Sequence, residues 1–364
     1  MDNRLDNNYI GNAIDELVGS LGIREDAPRT DLLKLFSRGR TKECIETIAS
    51  HLGLPIKVNL SYVPKSYKPG DANQFQSYHL VKTDYTGHGV EGIIAQVAIP
   101  RNLPLYGTPE LRGFPIDVRI SENCADYPES FIANMAHELS HIVLHSLWHK
   151  DKENEFYTDL AAMILGFSAI MKNGRKVVET ESSYLLIGTR TTTRTMTYGY
   201  LSDEQFDFAF NKLNGILNGH RALKAKLWRK LGNYQSQVSS SKKVLLRFKR
   251  YLEYLDKHRD QAIRREDHDK IILFHQANYT HEYESAIKIH EQRLKGFLGF
   301  HETLCHYTKQ RLELLRKYDG EIETLTSDLK KKLDLLNEDA SLLKKYVGLF
   351  YKLKLNLWST LYDK

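Results

Sequence analysis

Residues 137–141 read His-Glu-Leu-Ser-His, an H-E-x-x-H pattern whose residue types could bind and use a metal ion. On a helix, side chains four residues apart share one face, so His137 and His141 would point together with Glu138 beside them. Neutral imidazoles bind Zn²⁺ well, the ion lowers the pKa of its bound water, and Glu138 could accept that water's proton. The pattern therefore predicts metal-assisted hydrolysis.

A helix must carry this pattern if the two histidines are to meet. Apolar residues recur at helical spacing around it and predict a buried helix: Phe131, Ile132, Met135, Leu139, Ile142 and Val143. Two histidines on a buried helix need partners, because an unpaired buried polar group costs free energy. The simpler alternative is a surface helix that happens to carry two histidines. A surface helix would not explain the apolar residues around them.

A catalytic zinc site also needs a third protein ligand and one open position. Residues 153–167 form a second apolar, alanine-rich stretch that predicts a helix. On it, Glu155 and Asp159 lie four residues apart and share a face. Glu155 suits the third ligand, and Asp159 suits a carboxylate that holds a ligand histidine by its other ring nitrogen.

Two other residues remain alternatives for the third ligand. Glu153 has no carboxylate four residues after it, and His145 lies two turns beyond His137 on the same helix. The longer pattern H-E-x-x-H-x-x-G-x-x-H is excluded, because Leu144 and Leu147 occupy its glycine and last histidine positions.

These two predicted helices resemble those of gluzincin-type zinc peptidases, whose third ligand is a glutamate followed four residues later by an aspartate. Residues 42–58 and 116–122 resemble a helix, an LGLP turn and two strands of the bacterial ImmA/IrrE-like branch, and the similarity covers roughly residues 40–215. The chain departs from the E-A-N-x-F-A signature of that branch, because residues 155–161 read Glu-Phe-Tyr-Thr-Asp-Leu-Ala. The sequence thus supports the class more firmly than the branch.

The resemblance implies a role for each matching residue. His137, His141 and Glu155 would bind zinc. Glu138 would act as general base and then return the proton, and Asp159 would orient a ligand histidine. An oxyanion donor is also expected, and the candidates for it are Tyr157, Tyr184, Tyr198 and Tyr200.

Composition and charge divide the chain of 364 residues into two parts. Residues 221–364 hold 30 Lys and Arg against 19 Asp and Glu, a net charge of +11, and the other residues carry −5, which together give the net charge of +6. We expect a zincin-like metallopeptidase domain over residues 1–218, with residues 1–40 as a helical extension, and a basic α-helical domain over residues 219–364. The three cysteines show neither metal-ligand spacing nor a disulfide pattern. The sequence has no signal peptide and no apolar run of 18 residues. These features predict a cytoplasmic protein with no membrane contact.

The predicted fold class is α+β, with a small mixed sheet beside the two metal-binding helices and an all-α, coiled-coil-like region after them. Helices are predicted at residues 10–21 and 41–52, and strands at residues 56–60, 77–81, 92–99 and 116–121. The threonine-rich residues 188–197 are interpreted as a loop. A further helix is predicted to begin after Ser202 as its N-cap, with Gln205 completing a capping box.

Apolar residues in the C-terminal part recur every three or four positions, which predicts a coiled-coil seam with one stutter near its end: Leu315, Tyr318, Ile322, Leu325, Leu329, Leu333 and Leu336. Such helices must bury their apolar stripes, so a helical hairpin or bundle is expected, and a homo-oligomer or a protein partner is the favoured use of it. Its lysine clusters could contact nucleic acid, but no DNA-binding motif accompanies them, and this use is less favoured.

The expected function is therefore a zinc-dependent endopeptidase that cuts a specific intracellular protein substrate, in a regulatory, stress-related or phage-defence role. The alternative is a zinc-stabilised scaffold without activity, whose helical region binds a protein or a nucleic acid. Glu138 separates the two functions, because a structural metal site does not need a base beside its ligands.

Overall fold

The structure, a computed structural model, describes residues 6–64, 82–83, 95–122, 124, 127–185, 188–257, 279–302 and 306–362. It is a mixed α+β protein, mostly helical, with small sheets and a helical C-terminal region, as the sequence predicts. The chain forms two compact units, Met1–Gly219 with Cys305–Lys309, and His220–Leu304 with Gln310–Lys364. Among the described helices, none combines the length and the apolar character that a membrane span requires.

The helices of the described residues are α1 (Asn7–Leu21), α2 (Arg29–Ser37), α3 (Thr41–His51), α4 (Pro128–Ser146), α5 (Glu155–Ala162), α6 (Ser168–Gly174), α7 (Asp203–Lys257), α8 (Tyr279–Glu302) and α9 (Lys309–Tyr362). The strands are β1 (Ile23–Arg24), β2 (Lys57–Val63), β3 (Lys82–Thr83), β4 (Ala95–Val97), β5 (Pro115–Ser121), β6 (Lys176–Leu185), β7 (Gly188–Thr197) and β8 (His306–Tyr307). The predictions for α1, α3, β2 and β5 are confirmed. The strand predicted at 77–81 lies outside the described residues.

One three-stranded sheet has the strand order β2-β5-β4. Strand β5 pairs with β2 in parallel, with Val58 opposite Ile116, and with β4 in an antiparallel direction. Val58, Ile116, Val118 and Ile120 are fully buried because alternate residues of each strand face the core. Strand β4 contacts helix α4, so this sheet supports the helix that carries the H-E-x-x-H pattern.

The interpretation of residues 188–197 as a loop is wrong. They form strand β7, which pairs along its whole length with β6 in an antiparallel hairpin and at its end with β3. Threonine is β-branched and favours extended backbone, so a threonine-rich segment forms a strand readily when a neighbouring segment completes its hydrogen bonds.

Helix α4 is the centre of the first unit and is buried on almost every face. Phe131, Met135, Leu139 and Ile142 are fully buried, and α2, α3, α5, α6 and β4 contact the helix. Because its surroundings are packed on all sides, the side chains of α4 are fixed in position.

Helix α5 continues through a π-helical turn, Met163–Phe167, into α6. Gly166 has a φ of +100° there, and a Cβ atom at this position would lie 2.3 Å from the carbonyl oxygen of Glu25. The Gly166 carbonyl accepts a hydrogen bond from the amide of Ala27 at 2.8 Å. Only glycine fits this close approach, which packs the π-helical turn after α5 against the segment after β1.

The second unit is a bundle formed by α8, α9 and the part of α7 from residue 220 onward. Its buried positions on α9 recur every seven residues, and they are Leu315, Ile322, Leu329, Leu336 and Leu343. On this part of α7 a series of buried positions alternates by four and three residues, with Val244 buried in addition, and the series is Leu227, Leu231, Tyr234, Val238, Ser241, Leu245, Phe248, Leu252 and Leu255. This is the heptad repeat that the sequence predicts, although the buried positions of α9 show no stutter.

Candidate metal centre

Helix α4 places His137 and His141 on one face, one turn apart. Both side chains are almost fully buried, with relative exposures of 2% and 4%. Their rings meet edge to face, with centroids 5.1 Å apart at an angle of 86°. The four-residue spacing therefore produces the arrangement that the sequence predicts.

Helix α5 supplies the carboxylate. Asn154 caps the helix by accepting a hydrogen bond from the amide of Phe156 at 3.0 Å, which places Glu155 in the first turn. Oε2 of Glu155 lies 3.1 Å from Nε2 of His137 and 3.2 Å from Nε2 of His141. The Glu155 side chain is 31% exposed, so solvent reaches the centre at this residue.

Three side chains thus offer ligand atoms to a common point. One atom each of His137, His141 and Glu155 lies within 4.8 Å of the others, and no other such group of three occurs among the described residues. Two imidazole nitrogens and one carboxylate oxygen at this separation could hold a metal ion.

Asp159 orients the first histidine. Nδ1–H of His137 donates to Oδ1 of Asp159 at 2.7 Å, one turn of α5 beyond Glu155. This hydrogen bond leaves Nε2 of His137 to face the ligand position. The structure therefore places Asp159 where the sequence predicts it.

Thr158 contacts the second histidine, which the sequence gave no reason to expect. Its fully buried hydroxyl lies 3.3 Å from Nδ1 of His141 and donates to the carbonyl of Asn154 at 3.3 Å. The hydroxyl can therefore accept a hydrogen bond from Nδ1–H of His141 and leave Nε2 for a metal. Its position three residues after Glu155 was the available signal, because such residues share a helix face.

Backbone amides from a distant segment hold Asp159. The amides of Tyr200 and Leu201 donate to its Oδ2 at 2.7 and 3.3 Å. Sequence reasoning missed these donors, because an amide is present at every residue except proline and leaves no pattern.

The charges of the group reinforce one another. Burial would lower the pKa of His137, but the charge and hydrogen bond of Asp159, with the hydrogen bond to Glu155, raise it to about 10. Burial would raise the pKa of Glu155, but hydrogen bonds from His137 and His141 hold it well below its usual range. Without a metal, His137 is therefore an imidazolium paired with carboxylates at neutral pH.

Glu138, the predicted base, is fully buried on α4 next to His137. Its negative charge also contributes to the raised pKa of that histidine. A carboxylate in this position is within the electrostatic reach of the ligand group.

The alternative ligands of the sequence lie in a separate pair. Nε2 of His145 is 3.4 Å from Oε1 of Glu153, and neither residue belongs to the group of three. Burial lowers the pKa of His145, against the charge of Glu153. The structure therefore favours Glu155 over both alternatives.

The candidate tyrosines have different surroundings. Tyr157 donates from its hydroxyl to Oε2 of Glu16 at 3.3 Å, while the Tyr200 ring stacks on His137 with centroids 5.6 Å apart. Tyr198 is buried beside His137, and the side chain of Tyr184 lies outside the described residues. Tyr200 is thus the candidate in ring contact with a ligand.

A cavity of about 20 Å³ lies behind His137 and Asp159, with Asn134 and Arg175 among its lining residues. This volume admits about one water molecule and no peptide.

Comparisons with protein-family models, with curated proteins and with solved structures each found no match to this chain.

Proposed function

We propose that the protein is a zinc-dependent peptidase of the gluzincin type, with His137, His141 and Glu155 as zinc ligands. The observation that carries the proposal is their convergence on one point with a buried glutamate, Glu138, beside them. The proposal includes a zincin-like fold for the first unit and follows the ImmA/IrrE-like resemblance of its sequence.

Zinc is the metal that this donor set fits best. Two imidazoles and one carboxylate are a known ligand set of catalytic zinc sites, in which the fourth position stays open for water or substrate. A buried aspartate on the second nitrogen of one ligand histidine is also typical of such sites. When bound, Zn²⁺ would polarise the scissile carbonyl group and lower the pKa of a water molecule.

Glu138 then performs the proton transfers of peptide hydrolysis. Its carboxylate accepts a proton as the water oxygen bonds to the carbonyl carbon, and it delivers that proton to the amine nitrogen as the C–N bond breaks. Asp159 keeps His137 in one orientation throughout, so the ligands need not rearrange during the reaction.

The proposed substrate is a protein in the cytoplasm. Of the three proposed ligands, Glu155 is the most exposed, with 31% of its side chain accessible, so a protein segment would reach the group at this residue.

Replacing the carboxylate of Glu138 by an amide tests the proposed peptidase function. Glu138→Gln should keep one bound zinc per chain and lose nearly all cleavage, because an amide cannot accept the proton. Zinc is measured by elemental analysis, and substrates are found by mapping new protein N-termini in cells that express the wild type or the variant.

Glu153→Gln is the matched control, since it changes a nearby glutamate outside the ligand group, and it should cut as the wild type does. Wild-type protein without zinc, or undiminished cleavage by Glu138→Gln, would contradict the proposal. Zinc binding without any cleavage by the wild type would favour the scaffold instead.

A further inference from the structure

The residues that follow strand β7 touch the metal centre from outside its two helices. Residues 199–202, Gly-Tyr-Leu-Ser, form a turn between the end of β7 and the start of α7. We propose that this 199–202 turn positions the imidazole of His137 for metal binding, through Asp159 and through the ring of Tyr200. The proposal rests on the metal centre of the proposed function and does not depend on peptide hydrolysis.

The first contact passes through Asp159, whose two oxygens have different partners. Oδ1 accepts from His137, while Oδ2 accepts from the amides of Tyr200 and Leu201. Asp159 is 1% exposed, so water does not compete for these hydrogen bonds. The turn thus fixes the carboxylate, and the carboxylate fixes the imidazole.

Gly199 allows the turn to approach so closely. Its φ is +92°, and a Cβ atom there would lie 3.3 Å from Oδ2 and 3.7 Å from Oδ1 of Asp159. A side chain at this residue would both strain the backbone and push the carboxylate. Glycine is therefore the residue that this position requires.

The second contact is direct. The ring of Tyr200 lies nearly parallel to the imidazole of His137, with an angle of 20° and centroids 5.6 Å apart. A stacked ring restricts rotation of the imidazole about its last side-chain bond. His137 is therefore held at one nitrogen by Asp159 and on one face by Tyr200.

The turn is itself anchored on both sides. Arg175 donates from its guanidinium to the carbonyl of Leu201 at 2.8 Å, and its own carbonyl accepts from the amide of Tyr198 at 2.7 Å. Ser202 and Gln205 exchange hydrogen bonds at the start of α7. A rigid support of this kind is needed if the turn is to position another residue.

Zinc affinity, measured by competition with a chelator, tests the proposal. Gly199→Ala should weaken zinc binding by about 10- to 100-fold, the usual effect of disturbing a residue behind a metal ligand. Gly107→Ala is the matched control, because Gly107 also has a positive φ, +81°, but has nothing within 4 Å of the added Cβ. The control should have the same backbone strain and unchanged affinity.

A second pair of variants tests the stacked ring and does not require a substitution at a strained residue. Tyr200→Ala should weaken zinc binding, while Tyr200→Phe keeps the ring and should restore it. If Gly199→Ala does not fold, this pair decides the question. Equal affinity of Tyr200→Ala and Tyr200→Phe, or of folded Gly199→Ala and Gly107→Ala, overturns the proposal. Wild-type protein without zinc would contradict the proposed function itself, so the two failures are distinguishable.

Discussion

Each histidine of the candidate metal centre has its second ring nitrogen in contact with a residue of α5. His137 donates to Asp159, and His141 lies in hydrogen-bond contact with Thr158. Both imidazoles are thus oriented before a metal arrives, which reduces the entropy lost on binding. The same helix supplies Glu155, so a single rigid element carries the proposed third ligand and both orienting groups.

The identity of the third ligand gives the first prediction at this scale. Glu155→Gln should weaken zinc binding by about 100-fold or more, because it replaces a charged ligand oxygen that contacts both histidines. Glu153→Gln should leave the affinity unchanged, since Glu153 pairs with His145 instead. Chelator competition on both variants checks this; equal losses would contradict the choice of Glu155, and a larger loss for Glu153→Gln would favour Glu153 as the ligand.

Zinc uptake should also release about one proton per ion at pH 7. His137 is protonated in the metal-free protein, because its pKa is raised to about 10, and a metal must displace the proton on Nε2. Affinity should consequently rise with pH from 7 towards that pKa. Calorimetry in buffers with different ionisation enthalpies measures the release. A binding heat that is independent of the buffer would contradict this prediction.

The site residues could be predicted where spacing on a helix brings them together. His137, His141, Glu155 and Asp159 follow from a four-residue repeat on two helices. The amides of residues 200 and 201 could not be found in this way, since they are distant in sequence and have no distinctive side chain. The glycine at position 199 is the sequence feature associated with these amides, but glycine also occurs in many turns that contact no functional residue.

At the scale of elements, the sequence predicted those helices whose apolar residues repeat with a clear period, whereas α2 and α6 had no separate prediction. Residues 188–197 were not predicted as a strand, since their polar composition is common in loops, whereas hydrogen bonds to β6 determine their structure. Strands β1 and β8 have two residues each, and the strands that pair are separated by most of the sequence. No local pattern could therefore indicate them.

The start of α7 gives a prediction at this scale. The capping box is confirmed, because the amide of Gln205 donates to the hydroxyl of Ser202 and the Gln205 side chain accepts from the amide of Ser202. Ser202→Ala should cost about 1 kcal/mol and lower the melting temperature by about 2–4 °C. Ser239→Ala, an exposed change in the middle of the same helix, should have almost no effect. Thermal unfolding of both variants is the measurement, and equal shifts would exclude a capping contribution.

At the scale of the whole molecule, the two units have cores of different design. The first surrounds one buried helix with layers of helix and sheet, while the second repeats a heptad along three helices. The buried seam includes a polar pair, in which the hydroxyl of Tyr234 lies 2.7 Å from Nδ1 of His290. A polar pair inside a coiled-coil core fixes the register of the helices.

Two adjacent leucines of α9 test the core of the second unit. Leu336 is 1% exposed within the cluster that includes Phe248 and Ile287, whereas Leu335 is 56% exposed. Leu336→Ala should destabilise this unit by about 2–5 kcal/mol, and Leu335→Ala by less than about 0.5 kcal/mol. Urea unfolding followed by circular dichroism measures both. Similar losses would mean that α9 packs with a different face.

The chain returns to the first unit at β8 after it has entered the second. Residues 220–304 lie between the two visits, so the pairing of β8 with β1 closes a long loop. The entropy cost of closing a loop grows only slowly with its length, so a two-residue strand can be recruited from so far along the chain. A chain shortened to residues 1–219 would lack β8 altogether. The first unit is thus completed by residues that the chain reaches only after building most of the second.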